Sequence, residues 1–209
     1  LDETHYIGET NRSTGRSILE NLGVTPLINA GGPNTKHSGS RPRAESIDAM
    51  NAMSEVFVDL EELLLAAGNE IAQLTGNEAA TVTSGASGGL VVQAAAAMAK
   101  DDPERISQLP ITNEMPNELI IQRGHRFVYD HLYLAPGSHF VEVGRATDCT
   151  VEEIDAAIGP NTAALIHLES PYKGKTGVPL TELSDLAHSH GLPVLADCAS
   201  MLPPRENLT

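Results

Sequence analysis

The sequence predicts an α/β protein with three layers, in which a mostly parallel sheet is covered by helices on both faces. Short, nearly continuous apolar runs alternate with segments whose apolar residues recur every three or four positions. This alternation is typical of buried parallel strands joined by helices. Hydrophobic residues make up 41% of the 209 residues, with no Trp, three Phe and four Tyr. Aliphatic side chains must therefore fill the core.

The predicted elements follow from this periodicity and from local stop signals. Ser13 and Thr14 can cap a short helix that ends at Leu22, and Gly23 and Gly76 are natural helix stops. Further helices are predicted at 44–58, 60–74, 86–99, 127–134, 151–158 and 180–189. Strands are predicted at 79–83, 119–122, 140–143, 163–168 and 194–196. We expect residues 1–24 to form a helical lead and residues 25–209 to form one larger domain.

Charge and composition argue against several classes of function. The formal net charge is −15, from 28 acidic and 13 basic residues, and no basic cluster opposes it, so nucleic-acid binding is not expected. No apolar run is long enough to span a bilayer, and residues 1–5 lack a signal-peptide layout. Cys149 and Cys198 are isolated, which favours reduced thiols in a cytoplasmic protein. The histidines lack metal-ligand spacing, so we expect no metal site.

A turn rich in Gly and Ser, residues 83–89, separates a predicted strand from a predicted helix. Small residues let backbone N–H groups approach an anion, and the start of a helix favours negative charge. Ser84 and Ser87 add hydroxyl donors. The turn matches neither the dinucleotide-binding nor the nucleotide-binding glycine pattern. It is therefore either a phosphate cradle or a tight packing turn.

Asp197 directly follows one predicted strand, and His125 belongs to the segment QRGHR that begins where another ends. In an open parallel sheet, ligands bind beyond the carboxyl ends of the strands, so both side chains are candidates for a site there. The alternative for Asp197 is a helix cap, and for His125 a structural role. A polar loop, 29–43, carries Ser40 and Arg41, and an Arg there can bind a carboxylate through two hydrogen bonds. The alternative for this loop is an ordinary surface connection.

Several motifs in order resemble those of the fold-type I pyridoxal-phosphate enzymes. Within that superfamily the chain looks most like the group that contains bacterial selenocysteine synthase (L-seryl-tRNA(Sec) selenium transferase) and D-glucosaminate-6-phosphate ammonia-lyase. The resemblance covers the chain from about Thr25 onward. The motifs are LINAGG (27–32), FVDLEEL (57–63), VTSGASGG (82–89), QRGHR (122–126), LADCAS (195–200) and LPPRENL (202–208).

The resemblance implies a role for each candidate residue. Asp197 would pair with the pyridine nitrogen of pyridoxal 5'-phosphate, and His125 would lie against the face of its ring; both would act in catalysis. Ser40 and Arg41 would approach the substrate across a dimer interface. The residues implied to hold the cofactor phosphate are Ser84, Gly85, Ala86 and Ser87.

The resemblance also implies that the chain is a partial product. In the family, the lysine that binds the cofactor covalently lies beyond the aspartate strand, whereas Lys36, Lys100, Lys173 and Lys175 all precede Asp197. We therefore expect the front part of the large domain, without the lysine and the small domain, and inactive by itself.

The resemblance implies that the full-length protein acts on a small amino acid or amino-sugar acid, by elimination or transfer at the β-carbon, as a homo-oligomer. Selenium transfer onto seryl-tRNA is an alternative, although the acidic charge and the short lead before Thr25 argue against it. A non-catalytic remnant of the fold, with only a binding or oligomerisation role, is an alternative of a different class.

Overall fold

The computed structural model describes residues 7–171 and 177–202, with side chains from residue 14 onward. The chain divides into two compact units, Leu1–Val58 and Asp59–Thr209. The boundary predicted after residue 24 stays a prediction.

From residue 7 onward, the first unit contains two α-helices, α1 (Ile7–Asn21) and α2 (Ala44–Met53), and one 3-10 turn (Thr35–His37). Helix α1 begins earlier than predicted, so residues 13 and 14 lie within it rather than capping it. Helix α2 ends five residues before the predicted end. There the Ser54 hydroxyl donates to the Asn51 carbonyl at 2.7 Å, a local bond that competes with helix continuation.

In the second unit, residues 59–171 and 177–202 form five α-helices and a four-stranded sheet. The strand order is β2-β1-β3-β4, and all neighbours are parallel. The helices are α3 (Leu60–Thr75), α4 (Ala86–Ala99), α5 (Pro103–Gln108), α6 (Val151–Asp155) and α7 (Leu180–Ser189). The strands are β1 (Glu118–Gln122), β2 (His139–Val143), β3 (Thr162–Leu168) and β4 (Val194–Asp197), with 3-10 turns at Arg123–His125 and Asp130–Leu134.

The sheet is covered on both faces, which confirms the predicted three-layer α/β fold. Alternate residues of a strand point to opposite faces. Ile121 of β1 packs with Leu90 of α4, whereas Ile120 packs with Ile154 of α6 and Leu183 of α7. The two clusters are the two halves of one core.

The predicted strand 79–83 is wrong: this segment pairs with none of the described strands. A strand needs a hydrogen-bonded neighbour, and the apolar run alone does not supply one. Instead the segment packs against α3. A Cβ built on Gly68 would lie 2.2 Å from the Ala80 carbonyl oxygen, so the two backbones are in direct contact.

Two predicted helices of the second unit differ from the structure, and the sequence pattern does not predict α5. Residues 127–134 contain only the 3-10 turn, because the Asp130 carboxylate accepts from the Phe127 N–H at 3.0 Å and pairs with Arg126. Helix α6 stops at Asp155 instead of residue 158, although Thr150 caps it as expected. No helix within the described ranges is both long and apolar enough to cross a membrane.

Candidate functional site

Three neighbouring strands bring candidate residues to one edge of the sheet. His125 lies in the turn after β1, and its Nδ1 accepts a hydrogen bond from the Leu168 N–H of β3 at 3.2 Å. Leu168 is in register with Asp197 of β4, and the Glu169 N–H donates to the Asp197 carbonyl at 3.0 Å. The carboxyl ends of β1, β3 and β4 are thus linked laterally, with His125 and Asp197 on either side of β3.

Asp197 is the last residue of β4 and is only 8% exposed. One carboxylate oxygen, Oδ1, accepts from the Ala199 N–H at 2.9 Å, which fixes the side chain in a turn. Leu195, two residues earlier, packs in the cluster beneath α4, so the Asp197 side chain points to the same face. Among the described residues, no donor reaches its other oxygen, Oδ2.

Tyr133 lies close to Asp197, and sequence reasoning missed it. Its side chain is fully buried in the α4 cluster, and its hydroxyl has no hydrogen-bond partner among the described residues. Burial raises the pKa of Tyr133, and the negative charge of Asp197 raises it further. No sequence signal marks this residue, since its neighbours show only the apolar spacing of a packed turn.

The turn before α4 is open, as a ligand cradle requires. Ser84, Gly85, Ala86 and Ser87 are all exposed. Gly85 has φ 99° and ψ 179°, a conformation almost restricted to glycine. The Thr83 hydroxyl donates to the Gly85 carbonyl at 2.9 Å and holds the turn.

Backbone donors at the start of α4 face this turn without acceptors. The first helical bond of α4 runs from the Gly89 N–H to the Gly85 carbonyl at 3.1 Å. Among the described residues, no acceptor reaches the N–H groups of Ala86, Ser87 and Gly88, the usual state of a helix start. The helix itself packs on β3 and β4.

A second buried histidine stands beside the first. The ring centroids of His125 and His167 are 4.6 Å apart with an interplanar angle of 83°. Nε2 of His167 lies 3.2 Å from Oε2 of Glu169. The sequence marks His167 only as a possible metal ligand, although its position near the end of β3 is of the kind that made His125 a candidate after β1.

Cys198 follows Asp197 directly and is exposed. Packing around the thiol raises the pKa of Cys198, and the negative charges of Glu169 and Asp197 raise it further. Cys149, in contrast, is buried, and its burial, followed by the charges of Glu153 and Asp148, raises its pKa to about 11.

Ser40 and Arg41 belong to the first unit, whereas the other candidates belong to the second. Both residues line an open cavity of about 830 Å³ within the first unit, together with Lys36 and His37. The predicted substrate role of Ser40 and Arg41 therefore stays a prediction.

The match to known families covers most of the second unit. A profile of the DegT/DnrJ/EryC1/StrS aminotransferase family matches residues 68–205, a range that contains the turn, all four strands and Asp197. The chain belongs to this family. The fold-type I resemblance is consistent with that membership, while the finer resemblance to selenocysteine synthase stays a prediction.

Two curated relatives carry different activities. The chain is 33% identical over 208 residues to a 5'-C-glycyluridine monooxygenase-decarboxylase of Streptomyces sp, covering 95% of this chain and 52% of the relative. It is 29% identical over 189 residues to the D-glucosaminate-6-phosphate ammonia lyase of Salmonella typhimurium (strain 14028s / SGSC 2262), covering 88% and 51%. The chain spans about half the length of these relatives.

Solved structures agree with the fold. A structure of D-glucosaminate-6-phosphate ammonia-lyase superposes with a TM-score of 0.82 at 29% identity, over 87% of this chain and 50% of the other. An aspartate aminotransferase from Thermotoga maritima gives a TM-score of 0.50 at 16% identity, over 90% and 50%. The second likeness concerns the fold alone.

Proposed function

We propose that this chain is the cofactor-binding part of a pyridoxal-phosphate enzyme. The observation that carries the proposal is the lateral link at the carboxyl edge of the sheet. His125 bonds to the end of β3, and Asp197 is the β4 partner of that same residue, Leu168. A flat, basic side chain and a carboxylate thus lie on either side of β3, at the edge where parallel sheets bind ligands.

The turn before α4 fits the phosphate of this cofactor. An exposed helix start with three N–H groups and two serine hydroxyls suits a dianion. Gly88 also leaves room for the Ser84 hydroxyl. A Cβ at position 88 would lie 2.7 Å from the Ser84 Oγ, so a larger residue there would displace this hydroxyl. Ser84, Gly85, Ala86 and Ser87 would therefore hold the phosphate.

Asp197 fits the pyridine nitrogen. The Ala199 N–H holds Oδ1, and Oδ2 has no donor among the described residues, so this oxygen can accept the proton of a ring nitrogen. The cofactor, when bound, supplies an electron sink for a substrate carbanion, and a nearby carboxylate keeps its ring nitrogen protonated. His125 would lie against the ring face and limit its tilt.

Lys100 is too far along α4 to bind the same cofactor. It caps the carboxyl end of this 14-residue helix, whereas the phosphate turn is at the other end. At 1.5 Å per residue the two ends are about 21 Å apart, much farther than one pyridoxal phosphate molecule reaches. Lys173 and Lys175 lie outside the described residues. Lys36 belongs to the first unit. Because the resemblance places the aldimine lysine beyond the aspartate strand, we infer that a lysine elsewhere in the full-length protein binds the cofactor.

For the reaction we propose elimination or transfer at the β-carbon of an amino acid or amino-sugar acid. The support is the relative whose name gives ammonia elimination from D-glucosaminate-6-phosphate, an amino-sugar acid. An Arg such as Arg41 suits the carboxylate of such a substrate. Selenium transfer is the alternative within the same superfamily, and no observation on the site favours it.

We further infer a homo-oligomer. Helix α3 exposes leucines at positions where a helix in contact with solvent usually carries polar residues. Leu60 is 68% exposed, Leu65 70% and Leu74 64%. These leucines lie on more than one side of α3, and a helix that is apolar on most of its sides is usually covered by other protein. A non-catalytic remnant would share this property, so only turnover separates it from an enzyme.

The test is borohydride reduction of the full-length protein with pyridoxal phosphate, followed by peptide mass mapping. We expect one stoichiometric label on a lysine other than Lys36, Lys100, Lys173 and Lys175, and no label in the Asp197→Ala variant at low cofactor concentration. A stoichiometric label on one of these four lysines, with turnover retained, would show that the lysine assignment is wrong. Absence of any specific label would refute the cofactor proposal.

A further inference from the structure

The side chains of His167 and Glu169 form a pair beside His125, and neither residue has a role in the proposed function. His167 is 4% exposed, and its Nε2 lies 3.2 Å from the Glu169 carboxylate. A carboxylate only accepts, so the His167 proton lies on Nε2 when the ring is neutral. Its Nδ1 is then a buried atom without a hydrogen-bond partner among the described residues.

An unpaired buried nitrogen is unfavourable, and a phenyl ring in its place would pack without that loss. The feature that only histidine offers at this position is the bond to Glu169, which fixes the rotation of the ring. This ring stands 4.6 Å from His125 and almost perpendicular to it, so its rotation limits the plane that His125 can adopt.

His125 is also restrained from the other side. The Leu168 N–H donates to its Nδ1, so Nδ1 carries no proton and a neutral His125 ring is protonated at Nε2. A tilt of the ring would break this bond. The backbone bond from Leu168 therefore sets the tautomer of His125, and together with the ring of His167 it restrains the ring plane.

We propose that His167 and Glu169 are positioning residues that hold His125 in the one ring plane in which the Leu168 N–H bonds to its Nδ1, and thereby keep it in its Nε2–H tautomer. The consequence for cofactor binding rests on the proposed function, since His125 would then present a fixed face to the pyridine ring. The restraint on the tautomer is a property of the protein without any ligand.

The test uses full-length protein labelled with ¹⁵N-histidine, with the His125 signals assigned from a His125→Gln variant. In the wild type we expect the ring nitrogen shifts of a single Nε2–H tautomer. In Glu169→Ala and in His167→Phe, which keeps a ring of similar shape, we expect the averaged shifts of two tautomers. Glu169→Gln retains an acceptor oxygen and should restore the wild-type pattern.

A matched control comes from the exposed pair His190–Asp155. Its Nε2 to Oδ1 distance is 2.7 Å, and its two residues lie on the connections that enter β4 and β3, away from the carboxyl edge. Asp155→Ala should leave the His125 shifts unchanged. A single Nε2–H tautomer in both Glu169→Ala and His167→Phe would overturn the proposal.

A second measurement separates this proposal from the proposed function. The dissociation constant of pyridoxal phosphate should rise about fivefold in Glu169→Ala, which is the factor expected from the loss of one ordinary hydrogen bond. It should not change in Asp155→Ala. The induced circular dichroism of the bound cofactor should weaken in the same variant. If the wild type binds no cofactor, the proposed function fails while the tautomer result still decides the role of His167 and Glu169.

Discussion

Gly85 offers the sharpest test of the phosphate cradle, because its replacement changes the backbone and almost nothing else. A Cβ added at Gly85 meets no atom within 4 Å, so Gly85→Ala introduces no collision. Its φ of 99° with ψ of 179° lies in a region that only glycine adopts readily. Holding alanine there costs about 1–3 kcal/mol.

In the free protein the Gly85→Ala turn would relax to a negative φ, and it would have to return to the present shape to bind phosphate. The same free energy then appears as weaker binding, so the dissociation constant of pyridoxal phosphate should rise roughly fivefold to 150-fold. The measurement is an absorbance titration of the full-length protein with the cofactor, accompanied by urea unfolding without it.

The neighbouring Gly89 provides the control. Its added Cβ would lie 3.7 Å from the Thr83 Oγ1, an ordinary contact, and it sits inside α4. Gly89→Ala should raise the free energy of unfolding by about 0.5–1 kcal/mol and leave the dissociation constant unchanged. The reasoning is refuted if Gly85→Ala binds the cofactor within twofold of the wild type, or if Gly89→Ala weakens binding equally.

Three further predictions concern the surroundings of Asp197. Asp197→Ala in the full-length protein should lower kcat at saturating cofactor by about 10²- to 10³-fold, the loss typical of one preorganised electrostatic contact; wild-type turnover would remove Asp197 from the mechanism. A maleimide should label exposed Cys198 faster than buried Cys149. Because the pKa of each thiol is raised, both labelling rates should still increase as the pH rises above 9. Pyridoxal phosphate should protect Cys198 alone, and equal protection of both thiols would place the cofactor elsewhere. Tyr133→Phe removes an unpaired buried hydroxyl and should raise the free energy of unfolding by about 1 kcal/mol. Because the folded pKa of Tyr133 is raised, the wild type should also lose stability as the pH rises above 10, the unfolded value, and the Phe variant should lack this loss; parallel pH profiles in urea unfolding would contradict the assignment.

Local signals predicted most of the second unit. Helix α4 begins and ends where its Gly-Ser turn and its apolar spacing predicted, and α7 does the same. The four strands of the sheet differ from their predicted bounds by one residue at most, because each is a short apolar run bounded by polar residues. The strand-end rule then predicted that His125 and Asp197 would share one edge.

The wrong helix bounds at 54–58 and 127–134 follow from local side-chain bonds, whereas the other failures depend on contacts between distant residues. The segment 79–83 has the composition of a strand, yet strand formation depends on a partner that composition does not reveal. His167 is a candidate because its ring contacts that of His125, 42 positions earlier in the chain. Tyr133 is a candidate because it lies near the charge of Asp197, 64 positions later. Such pairs become visible only when β1, β3 and β4 are placed side by side.

The contact between Gly68 and the Ala80 carbonyl limits how this protein can diverge. Any side chain at position 68 would push α3 away from the segment that leads into the Ser84 turn. A substitution more than ten residues before the turn would thus shift its hydroxyl and amide donors without touching any of them. Homologues with a larger residue at position 68 should therefore carry a compensating change between residues 79 and 83. Natural variants with altered cofactor affinity are to be expected in this helix as well as in the turn.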